Sequence, residues 1–469
     1  MGAPGARAAR LLAASLCIAL AACSDDGPAG PPPADIVEAA VLPSNAPPHT
    51  TIRVSLDEPS QVRVTYWRAT DPNALEVTSA QVRAMHEIFL PRTYAASEYL
   101  YEVRAVSTGG RVGPAVPGTF TTGALPDAIA ALQFTATGTP TDSLALIEVM
   151  ISHSGFGGGA IIVDEHGRIV WYWQGQGGFL MGAEQRANGN WVFQDAGRLV
   201  ELTPDRRIVA ELPNAGAATP YGSIHHDLAV TAANSVYFIA NEARVFPDST
   251  LVGEAIWEWF PEQQRVEQRW SAFDFLSWPE DKGPDSALPN WLHMNSLTVG
   301  ARGNILYSSR SLDQVVSIAP DFSAVEWRLG GINATIPATG DAHFSGQHNI
   351  SEVAPDRILM WDNGRRRLVG EFSRGLELAV DASAGTATMV AEFRGVPDRL
   401  QPIVGGAFRM PGGHTLITYG WGSGEQINIY ELGAGNAIQW HLVAPAVIER
   451  IYKARTLESI AGERRVPIP

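Results

Sequence analysis

The chain has 469 residues, 45% of them hydrophobic, enough for a large core and for two or three domains. Its 46 Gly, 32 Pro and 13 Trp, with few amphipathic helical periods, favour many short strands over α/β layering. The formal net charge of −15 argues against nucleic-acid binding, which needs clustered Lys and Arg, and Arg365-Arg366-Arg367 reads as a local solvated turn.

Arg7 and Arg10 precede an apolar run from Leu11 to Ala22, the pattern of a signal peptide over 1–22. The run is too short to stay in a bilayer as a spanning helix. It ends Leu20-Ala21-Ala22-Cys23, which resembles a bacterial lipoprotein signal, so Cys23 is expected to become the lipidated N-terminus. That places the mature chain on the periplasmic face or the cell surface, and Ser24 points to the outer membrane. Cys17 and Cys23 are the only cysteines, so the mature chain has no disulfide despite an oxidising compartment. Loss of Arg7 and Arg10 takes the charge to about −17, 32 basic against 49 acidic side chains. Residues 23–35 are rich in Gly and Pro and read as a flexible tether.

From 36 to 124 short runs alternate apolar and polar residues, as in Thr51-Ile52-Arg53-Val54-Ser55-Leu56 and Gln61-Val62-Arg63-Val64-Thr65-Tyr66-Trp67. Strands at this spacing fit a small β-sandwich resembling a fibronectin type III or immunoglobulin-like module. It shows no chemistry, and His49 and His86 are expected at its surface.

Beyond a joint rich in Gly, Pro and Thr, one signature recurs over 135–445: a turn followed by an apolar strand. It appears in Gly189-Asn190-Trp191-Val192-Phe193, Asn234-Ser235-Val236-Tyr237-Phe238, Gly303-Asn304-Ile305-Leu306-Tyr307, Asp356-Arg357-Ile358-Leu359-Met360 and Gly413-His414-Thr415-Leu416-Ile417. A sixth unit spans Leu144 to Trp173, and several units close on a strand carrying Trp257 and Trp259, Trp327 or Trp440. The expected class is all-β, a six-bladed β-propeller behind the sandwich. Residues 446–469 read as a C-terminal tail that packs as a short strand or helix, with no chemistry assigned.

Overlaid by that signature, Arg310 falls level with Asn241 and Asn363, His226-Asp227 coincides with His348-Asn349, and His293-Met294-Asn295 lies close by. Equivalent positions on innermost strands face a propeller's axis, so these groups should meet at one end of it. A single histidine at a strand start is more often a structural hydrogen-bonding residue than a catalyst. Recurrence in three units argues otherwise. His153, His166, His343, His414 and His441 lack the pattern and read as structural.

The mature chain has no thiol nucleophile and no serine elbow, and Gly155 to Gly159 lacks the lysine of a phosphate loop. Clustered imidazoles suggest a metal site or a histidine nucleophile. An arginine among them disfavours a cation and suits an oxyanion. Mutual repulsion should lower the histidine pKa values and keep one imidazole neutral.

Trp291-Leu292-His293-Met294-Asn295-Ser296, Tyr307-Ser308-Ser309-Arg310, Gly346-Gln347-His348-Asn349 and Asp362-Asn363-Gly364, in this order after Ile224-His225-His226-Asp227, resemble the bacterial arylsulfate sulfotransferase family. The resemblance covers nearly the whole mature chain. It implies an N-terminal sandwich, a six-bladed propeller, a periplasmic location and ping-pong transfer of a sulfuryl group from an aryl sulfate to a phenol. It implies no nucleotide sulfate donor, no metal and no other cofactor. Carried over, His348 is the nucleophile, and His293 and Arg310 hold the sulfuryl oxygens. The remaining histidine is His226 or His225, internal register favouring His226. Asn295, Asn349, Asn363 and Thr418 complete the substrate-binding set. Dimerisation through the sandwich is also implied. Some members carry a disulfide near the site, and this chain has none. An aryl sulfatase and a non-enzymatic ligand- or partner-binding propeller lipoprotein stay open as other readings.

Overall fold

The computed structural model describes residues 31–469 except 45–46, 178, 368–369 and 423. The signal segment and Cys23 lie outside the described residues. Among those described, no helix is long and apolar enough to cross a membrane.

The two alternating runs at 51–67 are one strand, Thr50–Trp67, that serves two layers. Its first half pairs with Ile36–Leu42 and Arg83–Leu90, its second half with Ala74–Thr78 and Glu98–Val106. The register breaks between Ser55 and Ser60, where exposed Asp57-Glu58-Pro59 lets the strand pass from one sheet to the other. Alternation then places Ile52, Val54, Leu56, Val62, Val64 and Tyr66 between the layers, where they pack on Tyr99, Tyr101 and Phe120. His49 and His86, expected at the surface, are buried here. His86 earns its place by hydrogen-bonding the carbonyls of Ser60 and Arg83, each at 2.9 Å.

Six four-stranded antiparallel sheets follow as blades around an axis, the sixth widened by Thr135–Gly138. The strands inside each blade are apolar on both faces because neighbouring blades cover them. Trp171, Trp191, Trp259, Trp291, Trp361 and Trp440 are fully buried in this way. Truncating such a ring to alanine costs about 3–5 kcal/mol in a packed core.

The first blade corrects the sequence-based boundary at 445. Leu144–Ser152, Gly157–Asp164 and Ile169–Gln174 supply three of its strands, and Ile448–Leu457 supplies the innermost one. A ring built from one chain must join its ends, and the strand taken from the C-terminus closes it without leaving an open edge. The last residues then leave the propeller, and Arg464–Val466 pairs with Ala74–Thr78 of the sandwich. The expected tail is therefore part of both domains.

The sandwich rests on the hairpin turns at 164–168 and 203–207. Tyr94 Oη donates to Asp164 at 2.8 Å, and Arg206 donates to the Pro47 carbonyl at 3.2 Å. These turns lie at the opposite end of the blades from the histidines.

Candidate active site

Innermost strands of the second to fifth blades all begin with a register break, between Met181 and Ala183, Ile224 and Leu228, Met294 and Ser296, and His348 and Ser351. Such bulges re-aim side chains at the end of a strand. The backbone turns left-handed there, at Gly182 (φ 69°), His226 (56°), His293 (53°) and Asn349 (44°). Only the second blade uses glycine. The other three hold a larger residue in a conformation that costs about 1–3 kcal/mol, and two of these are histidines of the predicted set.

The histidines meet. The rings of His226 and His293 are 4.9 Å apart between centroids, and those of His225 and His226 are 5.0 Å apart. His225 and His226 are joined through their Nδ1 atoms at 2.8 Å, so in the neutral pair one Nδ1 carries a proton and the other accepts it. Both candidates for the leading motif therefore belong to the cluster, with His226 between His225 and His293. Burial lowers all four histidines: His225 and His348 to about 4, His293 to about 3, and His226 well below its ordinary value. Arg310 adds to the depression of His226, His293 and His348, and Asn241 opposes that of His225.

His348 is buried, and its tautomer is set by its surroundings. Its Nδ1 lies 2.7 Å from Asn363 Oδ1 and 3.1 Å from the Gly346 carbonyl. The Asn363 amide cannot turn over, because its Nδ2 donates to the carbonyls of Gln401 at 2.6 Å and Val404 at 2.9 Å. Two acceptors at Nδ1 require the proton there. Nε2 keeps its lone pair, and among the described residues nothing hydrogen-bonds it. At neutral pH this is a neutral imidazole with one nucleophilic nitrogen.

Arg310 follows the strand Ile305–Ser309, and its backbone N–H donates to the His293 carbonyl at 3.1 Å. Among the described residues its guanidinium forms no ion pair, and its Nε is buried without a partner. A half-buried guanidinium in that state is a ready anion site. His293 Nδ1 faces Asn290 Nδ2 at 3.4 Å, which leaves its Nε2–H as a donor.

The predicted amides divide. Asn363 orients the nucleophile candidate rather than a substrate. Asn295 is fully buried and its Nδ2 donates to the Gln347 carbonyl at 2.8 Å, while Asn349 Oδ1 accepts the Ala407 N–H at 2.9 Å. Both tie neighbouring blades together. Gln347 does likewise, its Nε2 donating to Ser308 Oγ at 2.8 Å and to the carbonyls of Ser309 and Gln314. Thr418 is buried with its hydroxyl unpartnered.

A family model described as Arylsulfotransferase (ASST) matches residues 135–428, a stretch that contains all four clustered histidines and Arg310. The chain belongs to the arylsulfotransferase family. No curated protein matches it significantly. Among solved structures, a protein of unknown function from Bacteroides caccae is 12% identical, with 67% of this chain and 98% of that chain covered and a TM-score of 0.45. A catalytically inactive virginiamycin B lyase from Staphylococcus aureus is also 12% identical, covering 84% and 99% with a TM-score of 0.29. Likenesses this loose say nothing about the site.

Arylsulfotransferase chemistry needs positive charge around a transferred anion, and the sequence reading missed part of it. Arg365-Arg366-Arg367 does form a turn with Arg365 exposed, but all three guanidiniums are tied to carboxylates. Arg365 reaches Asp285 at 2.7 Å, Arg366 reaches Asp285 at 3.0 Å and also pairs with Asp313, and Arg367 pairs with Asp362. Arg365 also helps depress His293 and His348, so it belongs to the field of the site. Arg365 and Arg366 read as solvated because the aspartates that fix them, Asp285 and Asp313, are distant in sequence. Tyr452 and Lys453 were missed too: the Tyr452 ring lies 6.1 Å from that of His226. A count of strands in the first blade, one short of four, was the signal that could have found them.

Proposed function

We propose that the chain moves a sulfuryl group from a phenolic sulfate ester to a phenol through a sulfo-histidine on His348. The observation that carries this reading is the Nε2 lone pair of His348, set by Asn363, near an Arg310 that forms no ion pair among the described residues. The transferred group is a monoanion in the ester and spreads charge over its oxygens in a loose transition state, by analogy with phosphoryl transfer. Arg310 and the His293 Nε2–H are donors suited to those oxygens, fixed before the reaction begins.

In the first half-reaction Nε2 forms a bond to sulfur as the bond to the aryl oxygen breaks. The aryl oxygen leaves as a phenolate, its developing charge met by a hydrogen bond from the Nε2–H of the His225–His226 pair, whose other proton is shared between the two Nδ1 atoms. In the second, the acceptor phenol gives its proton to solvent, its oxygen bonds sulfur, and the nitrogen–sulfur bond breaks to return His348 as a neutral imidazole. Neither half consumes a nucleotide or a redox equivalent.

The test is the intact mass after mixing with 4-nitrophenyl sulfate and no acceptor. One added SO₃, mapped to His348 and absent from His348→Asn, is expected. A stoichiometric adduct on another residue, or nitrophenol release with no adduct and full activity in His348→Asn, would refute the assignment. Steady release of sulfate without phenol would make the chain a sulfatase.

We further propose that Cys23 is lipidated and that the site opens away from that anchor, since the sandwich joins the opposite end of the blades. Labelled palmitate should enter the wild type and not Cys23→Ala; equal labelling of both would end that reading.

A further inference from the structure

Beneath the histidines the axis is filled by charge. Asp227 follows His226 directly and is buried. Its Oδ1 accepts Lys453 Nζ at 2.7 Å and the Leu228 N–H at 3.1 Å. Its Oδ2 accepts Ser296 Oγ at 3.1 Å and the Leu297 N–H at 3.4 Å. Ser296 Oγ accepts the Ile350 N–H at 3.0 Å in turn. Ser296 is fully buried and Lys453 nearly so.

The connectivity matters more than any one bond. Asp227 lies on Ile224–Val230, the strand of His226. Ser296 lies on Met294–Val299, which follows His293 immediately. Ile350 lies on His348–Ala354. Lys453 lies on Ile448–Leu457, the strand that closes the ring. One carboxylate thus holds three histidine-bearing strands and the closing strand, with a single hydroxyl as relay. A second tie runs alongside, from Tyr452 Oη to the Asn295 carbonyl at 2.5 Å.

We propose that Asp227, Ser296 and Lys453 form a positioning hub that sets the separation of His226, His293 and His348 for sulfuryl transfer. The hub touches none of the reacting atoms, so these are positioning residues. A buried ion pair is a poor stabiliser on balance, because desolvation offsets much of its attraction, and apolar residues of similar size often replace such a pair without loss of stability. A geometric role fits it better than a stabilising one. Bonds of fixed length between strands supply one, since neighbouring blades packed only by apolar contacts can slide. Lys453 stays charged: burial works against its ammonium, but Asp227 and Glu148 outweigh it and hold its pKa above the ordinary value.

This inference rests on the sulfuryl-transfer reading, and its test has one arm that does not. Ser296→Ala cuts the relay and spares the ion pair. Its kcat for 4-nitrophenyl sulfate and phenol should fall about 10- to 100-fold, the scale of a displacement near 1 Å. KM should change by no more than about twofold. Ser296→Thr keeps the hydroxyl and should restore kcat. The double variant Asp227→Leu/Lys453→Met should fold and show the same loss.

The arm without turnover uses histidine-labelled protein. In Ser296→Ala the imidazole nitrogen shifts of His226, His293 and His348 should all move, while that of His166, in the turn at the opposite end of the blades, stays. Wild-type kcat in the folded double variant, a loss that only tracks the unfolded fraction, or unmoved imidazole shifts in Ser296→Ala would overturn the hub. A wild type that transfers no sulfuryl group would end the functional reading and leave the imidazole shifts to decide the hub alone.

Discussion

Asn363 Oδ1 lies 2.7 Å from His348 Nδ1, and this contact leaves the lone pair of His348 on Nε2. Asn363→Ala removes the constraint and should lower the rate of sulfo-enzyme formation by about 10- to 100-fold, as loss of orientation does elsewhere. Asn363→Asp should behave differently. A carboxylate at this distance favours the imidazolium, so the acid limb of the pH–rate profile should move up from about 4 by about 1–3 pH units. Stopped-flow release of nitrophenol across pH reads both.

Among the described residues Arg310 forms no ion pair, so its charge is available to an anion. Arg310→Met should reduce kcat by about 10²–10³-fold, the usual loss for one donor aimed at developing charge. Arg310→Lys should recover only part of this, because an ammonium cannot reproduce the planar fork. Steady-state kinetics with one donor and one acceptor will show it.

The pH dependence of the first half-reaction follows from the depressed histidines. His348 is neutral above about 4, so sulfo-enzyme formation should stay level through neutrality and fall only as pH drops through about 4. A free histidine would lose its nucleophile near 6.5.

Stability should move in the same window. A folded-state pKa below the unfolded value means the unfolded chain binds more protons between the two. The contribution of His225, His293 and His348 is therefore whole above about 6.5 and is lost as pH falls towards 4 and 3. Glu254 runs the other way: burial raises it to about 8, so its contribution is present at acid pH and lost as pH rises through about 8. Urea unfolding of the wild type and of His348→Gln at pH 7 and pH 5 measures the first effect, as a smaller pH difference in the variant.

Closure by the C-terminus predicts two unlike truncations. Removing 446–469 strips the first blade of its inner strand and exposes partners of buried Ile451, Tyr452 and Ala454, so cooperative unfolding should vanish. Removing 458–469 leaves that strand and takes the pairing of Arg464–Val466 with the sandwich, the Arg464–Glu76 and Arg465–Glu165 ion pairs and the buried Ile460. This shorter chain should stay folded and active with a lower Tm, which calorimetry and a turnover assay will check.

Periodicity alone was enough to read an all-β chain, a small sandwich and six repeating units. Alternation of apolar and polar residues is a local property that survives without coordinates. The recurrence of His226, His293 and His348 near strand starts was legible for the same reason: equivalent positions in repeated units share an environment around a symmetry axis. Tertiary structure alone decided what depends on partners distant in the chain. It showed that Asn363 serves His348, that Asn295 and Asn349 bind neighbouring blades, and that both His225 and His226 join the cluster. It also brought Lys453 to Asp227, a contact between residues 226 positions apart. Hydrogen bonds and buried ion pairs are fixed by distance and direction in space, and a linear pattern carries neither.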